Sequence, residues 1–314
     1  MVAEIQSFYR DLDLTKLRII RPSKFIFLCG GAIGNTRPGS RPENLRDYIY
    51  RVRPLHLTHP TVLAEDAVQL FRDSDYSDLI SFEEDVARIA AVVLVIAESA
   101  GSLAELGAFA SNDTIRQVLR VVIQDEYEKA ESFVRYGPVQ RITKAKRSNL
   151  GVYPWRTKEG KLIVASTKPH YAQLKEFISN HVEATPLRTQ FANLAEAKLF
   201  YLIYWVIYIC RAISSANLLN YIKLIEPDVT QSELHRKLYC MMLAKWIGKE
   251  AYSDKDYYFT RIDLDVFDYS FLPNVSDNKP VRRKLDVFQA HQSVERLPTH
   301  VRKIAAEARK AKTQ

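Results

Sequence analysis

The sequence predicts an α/β protein: a Rossmann-like parallel sheet with helices on both faces, then a smaller, mostly helical, winged-helix-like domain. Three observations carry this reading. Apolar runs at residues 25–29, 92–97 and 119–123 are continuous rather than alternating, as suits strands covered on both faces. A Gly, Ser or acidic turn follows each run, and helical stretches separate the runs, the alternation that builds parallel sheets. From Pro186 onward the strands give way to three helical stretches and a hairpin, the order of a winged helix-turn-helix.

The 314 residues have room for two ordinary domains, and 47% hydrophobic with 26% charged residues is the composition of a folded chain, not a disordered one. Residues 1–185 are expected to form the α/β domain, 186–275 the helical domain and 276–314 a basic tail with a terminal helix. The formal charge is +8, and from Lys279 onward ten Lys/Arg face three acids, so nearly all the excess sits in that tail. A concentrated positive charge points to a polyanionic partner. Its candidate contact residues are Arg282, Arg283, Lys284, Arg302, Lys303, Arg309 and Lys310. Cys29, Cys210 and Cys240 are far apart and lack metal or disulfide spacing, which fits a reducing cytoplasm. Glu4, Arg10, Asp11 and Asp13 leave no apolar signal-peptide core near the start, and the apolar run 199–210 is too short to span a bilayer. No membrane partner is expected.

Taken in order, residues 1–20 read as a helical or irregular lead-in. The first buried strand, 25–29, ends in Gly30-Gly31, a pair that lets a ligand approach the backbone. This is not G-x-G-x-x-G, and no ribose-binding acid follows at the usual interval, so a dinucleotide fingerprint is absent. Residues 35–42 are a polar loop and 43–52 a helix; residues 61–63 form a weak strand that leads into Glu65-Asp66. His56-Leu57-Thr58-His59 is too short for a helical two-histidine zinc motif and reads as a loop pair without metal. A helix over 79–90 carries Glu83, Glu84 and Asp85 near its start. The strand 92–97 runs into a turn where Ser102 caps a helix and Glu105 completes an S-x-x-E capping box. After the strand 119–123 come Gln124-Asp125, a turn at Tyr136-Gly137-Pro138, a strand over 162–165 and a helix over 170–181. The helical domain follows as helices over 194–213, 217–225 and 230–247, a hairpin over 250–262 and a last basic helix over 301–312. Phe200, Tyr201, Tyr204 and Tyr208 read as core of the first of these. Asp263, Asp265 and Asp268 match a calcium loop only in spacing.

Carboxylates at the end of a buried strand suit chemistry at an anomeric carbon. Such a group stabilises an oxocarbenium-like transition state and can trap it as a glycosyl ester. Glu105 is the nucleophile in this reading, with a helix N-terminal turn holding it anionic; capping alone is the competing role. Glu98, Glu83 and Asp66 are available to hold ribose hydroxyls or to protonate a leaving base. Backbone amides after Gly30 and at Gly101-Ser102 could hold phosphate.

Phe27-Leu28-Cys29-Gly30-Gly31, Glu65-Asp66, Glu98-Ser99-Ala100-Gly101-Ser102, Glu105-Leu106-Gly107-Ala108-Phe109, Ile123-Gln124-Asp125 and Tyr136-Gly137-Pro138 together resemble retron effectors. These are nucleoside 2-deoxyribosyltransferase-like proteins encoded beside a retron reverse transcriptase. The resemblance covers about residues 24–142. It implies that the glutamate of the E-L-G motif, Glu105, is the nucleophile and that an acid on the preceding helix, Glu83 by spacing, contacts sugar or base. Gly30, Gly31, Glu65, Asp66, Ser99, Gly101 and Ser102 would line the substrate site. Two positions depart from the wider family: Cys29-Gly30-Gly31 replaces its aromatic or Ala-Gly pattern, and Ser99 replaces an acid, with Glu98 one position earlier.

The resemblance further implies anti-phage defence by abortive infection. The effector would be held inactive by the reverse transcriptase and its multicopy single-stranded DNA, in a higher-order complex or homo-oligomer. Its expected activity is an N-glycosidase on NAD+, which is the substrate; no cofactor is expected. Nicotinamide leaves a cationic precursor as a neutral molecule and needs no acid, which favours NAD+ over nucleosides. Deoxyribosyl transfer or hydrolysis on nucleosides or nucleotides is the alternative in the same chemistry. A non-catalytic, nucleotide-sensing DNA-binding regulator is the alternative of another class.

Overall fold

The computed structural model describes residues 3–34, 39–53, 58–66 and 75–310. Residues 35–38 of the polar loop, His56 and the last two residues of the expected terminal helix lie outside them. The chain divides into two compact units, Lys24–Gln69 with Asp78–Thr185, and Met1–Ser23 with Leu70–Ser77 and Pro186–Gln314. The start of the chain and the stretch from Pro186 onward belong to the same unit.

Within that second unit, the expected helical or irregular lead-in is helical over α1 (Ala3–Arg10), and a strand, β1 (Arg18–Ile20), follows it. Apolar residues anchor the helix. Ile5 and Phe8 are buried, and Phe8 packs against Trp205, Tyr269 and Phe271 at centroid distances of 5.3, 5.4 and 6.1 Å.

The first unit is built on a five-stranded parallel sheet. Its strands are β2 (Ile26–Cys29), β3 (Thr61–Leu63), β4 (Val92–Ala97), β5 (Leu119–Gln124) and β6 (Leu150–Tyr153). Their order is β3-β2-β4-β5-β6 and every pairing is parallel. All six residues of β4 are buried, as the unbroken apolar run requires. The fifth strand is not the expected 162–165. Leu162 closes a two-residue antiparallel hairpin with Thr157, and Val164–Thr167 is helical. Leu150-Gly151-Val152-Tyr153 takes the edge instead, where a Cβ on Gly151 would stand 2.8 Å from the Tyr153 ring. The helices are α2 (Leu45–Asp47, continued by a π-helical turn Tyr48–Val52), α3 (Leu79–Ile89), α4 (Ala100–Ser111), α5 (Asp113–Val118), α6 (Asp125–Lys129), α7 (Gln140–Ala145) and α8 (Tyr171–Ala184). Tyr136-Gly137-Pro138 lies in a π-helical turn, Arg135–Val139. His59 shares a 3.0 Å hydrogen bond with Ser179 of α8, which makes it a structural side chain.

In the second unit, β1 pairs with β7 (Arg188–Gln190) on one side. Helix α9 (Lys198–Cys210) follows a 3-10 turn, and all of residues 199–207 are buried. Among the described residues the one helix apolar enough to cross a membrane is this core helix with its leading turn, Phe191–Cys210. Then come β8 (Ala212–Ser214), α10 (Ser215–Lys223), α11 (Gln231–Leu243), β9 (Ile247–Tyr252) and β10 (Lys255–Thr260). The sheet order β8-β10-β9 completes a winged-helix topology. Helix α9 stops at Cys210 because Arg211 takes a left-handed φ of 66°, and β8 begins there. Strand β11 (Phe267–Asp268) pairs with the other edge of β1.

The expected basic tail is folded structure. Helix α12 (Pro280–Val294) packs on α1 and α9, and α13 (Thr299–Lys310) covers β8 and β10 through Leu297, Val301 and Ala305.

Candidate active site

The strand order reverses between β2 and β4, and open α/β sheets bind ligands in the crevice beyond their carboxyl ends at such a point. The structure gathers most of the expected site there: Gly30-Gly31 after β2, Glu65 after β3, Glu98-Ser99 after β4, Glu105 on α4 and Glu83 on α3.

Glu105 is not a cap. Helix α4 starts one turn earlier than expected, with Ser99 as N-cap and Ser102 as its reciprocal partner. Ser99 Oγ accepts from Ser102 N–H at 3.1 Å, and Ser102 Oγ accepts from the amides of Glu98 and Ser99 at 3.0 and 2.9 Å. Both serines are thus occupied by the cap, and Ser102 is buried. Glu105 is left in the second turn, beyond the strong field of the helix terminus. Among the described residues its Oε2 is buried without a hydrogen-bond partner. Burial pushes its pKa up to about 7, moderated by the nearby Arg46 charge and reinforced by Glu65. The expected depression by the helix terminus is therefore reversed, because desolvation dominates.

Glu83 separates itself from its acidic neighbours. Glu84 binds Asn112 and lies 3.7 Å from Arg88, while Asp85 pairs with Arg88 at 2.5 Å. Glu83 is 5% exposed, and burial, then the Glu105 charge, raises its pKa to about 8. Burial, then the charges of Glu105 and Glu83, also raise the pKa of the buried Cys29 thiol.

Glu98 has a different environment. It accepts from Gly31, Leu45 and Arg46 N–H at 3.4, 2.7 and 2.9 Å, closing the N-terminus of α2. Burial still lifts its pKa to about 7 against those bonds. With both oxygens engaged by backbone, Glu98 joins α2 to the end of β4.

Arg46 is the group that sequence reasoning missed. It is 1% exposed and donates to the carbonyls of Leu28 and Gly31 at 2.8 and 3.0 Å. It also forms a bidentate fork with Glu65, both contacts at 2.5 Å. A Cβ on Gly30 would stand 2.8 Å from Arg46 Cδ, and one on Gly31 would stand 2.6 Å from Asn44 Nδ2. The glycine pair thus makes room for Arg46 and Asn44. The one sequence signal was Asn44, the N-cap of α2, two residues before a cation. Arg46→Leu is expected to lower the unfolding free energy by about 2–4 kcal/mol, since two buried carbonyls lose their donor. An unchanged urea midpoint would show that the fork is dispensable. Asp66 is exposed and accepts from Leu63 N–H at 3.4 Å, and Gly101 is exposed at the start of α4.

The tail cations divide. Arg283 pairs with Asp11 at 2.8 Å, Lys284 with Asp265 at 2.5 Å, and Arg309 bonds Thr260 Oγ1 and the Tyr208 carbonyl at 3.1 and 2.9 Å. These three are internal ties, so the expected contact set loses them. Arg282, Arg302, Lys303 and Lys310 remain exposed. Asp263, Asp265 and Asp268 are likewise ion-pair partners, of Arg309, Lys284 and Arg188. On α11, Lys237 is buried over the Phe200 ring, and Arg236 lies over Tyr76. The presumptive groove-reading helix therefore turns two cations inward.

The profile of the STM3845 retron effector protein family matches residues 42–249, two thirds of the chain. The chain belongs to this family. It is also 31% identical over 119 residues to a protein of Escherichia coli named, provisionally, the Retron Ec86 ribosyltransferase/DNA-binding protein, covering 38% of this chain and 37% of that one. A second Escherichia coli protein, provisionally the Retron Ec73 ribosyltransferase/DNA-binding protein, is 27% identical over 138 residues, 44% and 43% of the two chains. The chain thus matches less than half the length of either relative.

Proposed function

We propose that this retron effector is an N-glycosidase that cleaves the nicotinamide–ribose bond of NAD+ through Glu105, as the toxic arm of an anti-phage system. The observation that carries this is the buried Oε2 of Glu105, a carboxylate oxygen without a donor at the sheet's switch point. The ribosyltransferase names of the two relatives support glycosyl chemistry of this kind. In the proposed reaction Glu105 attacks C1′ as the C1′–N bond breaks, and the bond's electron pair neutralises the pyridinium. Water then hydrolyses the glycosyl ester and restores the carboxylate. The α2 N-terminus is closed by Glu98, and the first amides of α4 would hold a phosphate. Glu65, fixed by Arg46 and with its side chain half exposed, is placed to accept from ribose hydroxyls.

A second reading has its own observation. Glu83 keeps its proton to about pH 8 and can protonate a leaving base, which suits deoxyribosyl transfer or hydrolysis on nucleosides or nucleotides. Product analysis separates the two. The protein is incubated with NAD+ and with deoxynucleosides side by side, and nicotinamide is expected in excess over free base. Free base alone would reverse the order of the readings. If neither product forms, a nucleotide-sensing DNA-binding regulator without turnover is the better account. Reverse transcriptase and multicopy single-stranded DNA are the proposed restraining partners, in the cytoplasm, with Arg282, Arg302, Lys303 and Lys310 available to phosphates.

A further inference from the structure

One surface of the parallel-sheet unit takes no part in the proposed chemistry. A cleft of about 460 Å³ lies between α4, the turn Arg135–Val139 and α7, with Phe133, Tyr136, Arg141 and Lys144 in its lining. Gly107 and Ala110 form its α4 wall; Gly107 is about 200° around the helix from Glu105, so the cleft and the catalytic carboxylate use opposite sides of α4.

The lining has an unusual chemistry for a protein surface. Phe133 is 82% exposed and Tyr136 52% exposed, three residues apart. The Arg135 guanidinium sits 5.1 Å from the Tyr136 ring centroid. A Cβ on Gly137 would stand 3.3 Å from Phe133 Cζ, so the glycine lets the ring lean over the cleft. Arg141 and Lys144 are exposed and make no ion pair among the described residues. Among the described residues no carboxylate lines the cleft. Residues 129–147 contain six Lys/Arg against one acid, Glu131, and the neighbouring Glu128 is engaged by Arg147 at 2.9 Å.

We propose that this cleft binds single-stranded nucleic acid, with bases stacked on Phe133 and Tyr136 and phosphates held by Arg141 and Lys144. Exposed rings beside unpaired cations are what a single strand requires, because its bases offer free π-faces and its backbone a regular charge. A duplex hides those faces, and an acidic peptide would answer the cations but leave both rings without partners. The site is independent of the substrate of Glu105, and it differs from the C-terminal cations first considered for nucleic acid.

The test is fluorescence anisotropy of the full chain with a labelled, mixed-sequence DNA of about 12 nucleotides. The double variant Phe133→Ala/Tyr136→Ala is expected to weaken binding by about 10- to 100-fold at fixed salt with an unchanged salt slope. Arg141→Gln/Lys144→Gln is expected to reduce the slope of log affinity against log salt by about 1.4. All four side chains are exposed, and a thermal melt of each variant checks that the fold is kept. The proposal is overturned if the aromatic variant binds as the parent does, or if a duplex of the same sequence binds as tightly. It is also overturned if a polyglutamate peptide displaces the strand equally well, which would mark a protein-docking surface. Loss of binding on Arg302→Gln/Lys303→Gln/Lys310→Gln alone, with the cleft variants unaffected, would place the contact on α13 instead.

Discussion

Glu105→Gln is expected to lower nicotinamide release from NAD+ by about 1,000-fold or more while leaving the fold in place. The amide matches the carboxylate in shape but cannot supply the anion that attacks C1′. Its position makes the comparison clean. Glu105 lies in the second turn of α4, caps nothing, and has one oxygen buried without a donor, so the substitution removes no hydrogen bond at Oε2. The carboxylate is also costly to bury, as its pKa of about 7 shows, so the neutral amide should leave thermal stability equal or slightly higher at pH 8. Chromatographic nicotinamide release and a melt measure the two effects together. A variant with full turnover, or one as toxic as the parent when expressed alone, would remove Glu105 from the mechanism and return it to the role of a structural acid.

The parts of this site that were readable in the sequence share one property: they are marked by a local pattern. The continuous run in β4 announces a buried parallel strand, and a Ser-rich turn followed by E-L-G places Glu105 on the next helix. Where a pattern has two solutions, local reading chooses between them without information. Ser99 and Ser102 each have a partner three residues on, and the cap falls on Ser99 because Ser102 can then bond back to the amides of Glu98 and Ser99. Arg46 was invisible for the opposite reason. Asn44-Leu45-Arg46-Asp47 reads as an ordinary solvated helix start, and only the approach of β2 buries that arginine over two glycines. The burial of the N-terminal helix could not be read locally because its partners, Trp205, Tyr269, Phe271 and Arg283, are some 200 or more residues away in the chain. The basic tail looked free for a related reason, since Asp11, 272 residues away, and Asp265, 19 residues away, neutralise two of its cations.

Glu83 should decide which leaving group the site was built for. Glu105 ionises at about pH 7, and its negative charge helps Glu83 keep a proton to about pH 8. A reaction that needs the nucleophile alone gains rate as pH rises through about 7 and then stays level. A reaction that also needs the acid falls again above about 8, so its profile is a bell. Hydrolysis of NAD+ is expected to give the level profile, because neutral nicotinamide departs without a proton, and Glu83→Gln should change it less than about 10-fold. Free-base release from a nucleoside is expected to give the bell, and Glu83→Gln should cut it by about 100-fold or more. The same residue leaves a mark on stability. Its raised pKa favours the folded state while the group is protonated, and that advantage is lost as pH rises from the unfolded value of 4.5 through about 8. The gap in unfolding free energy between Glu83→Gln and the parent should therefore widen in favour of the variant across that window, by on the order of 3–5 kcal/mol. A bell-shaped profile on NAD+ together with that stability signature would mean the acid takes part in nicotinamide release as well. The neutral-leaving-group argument for NAD+ would then no longer hold.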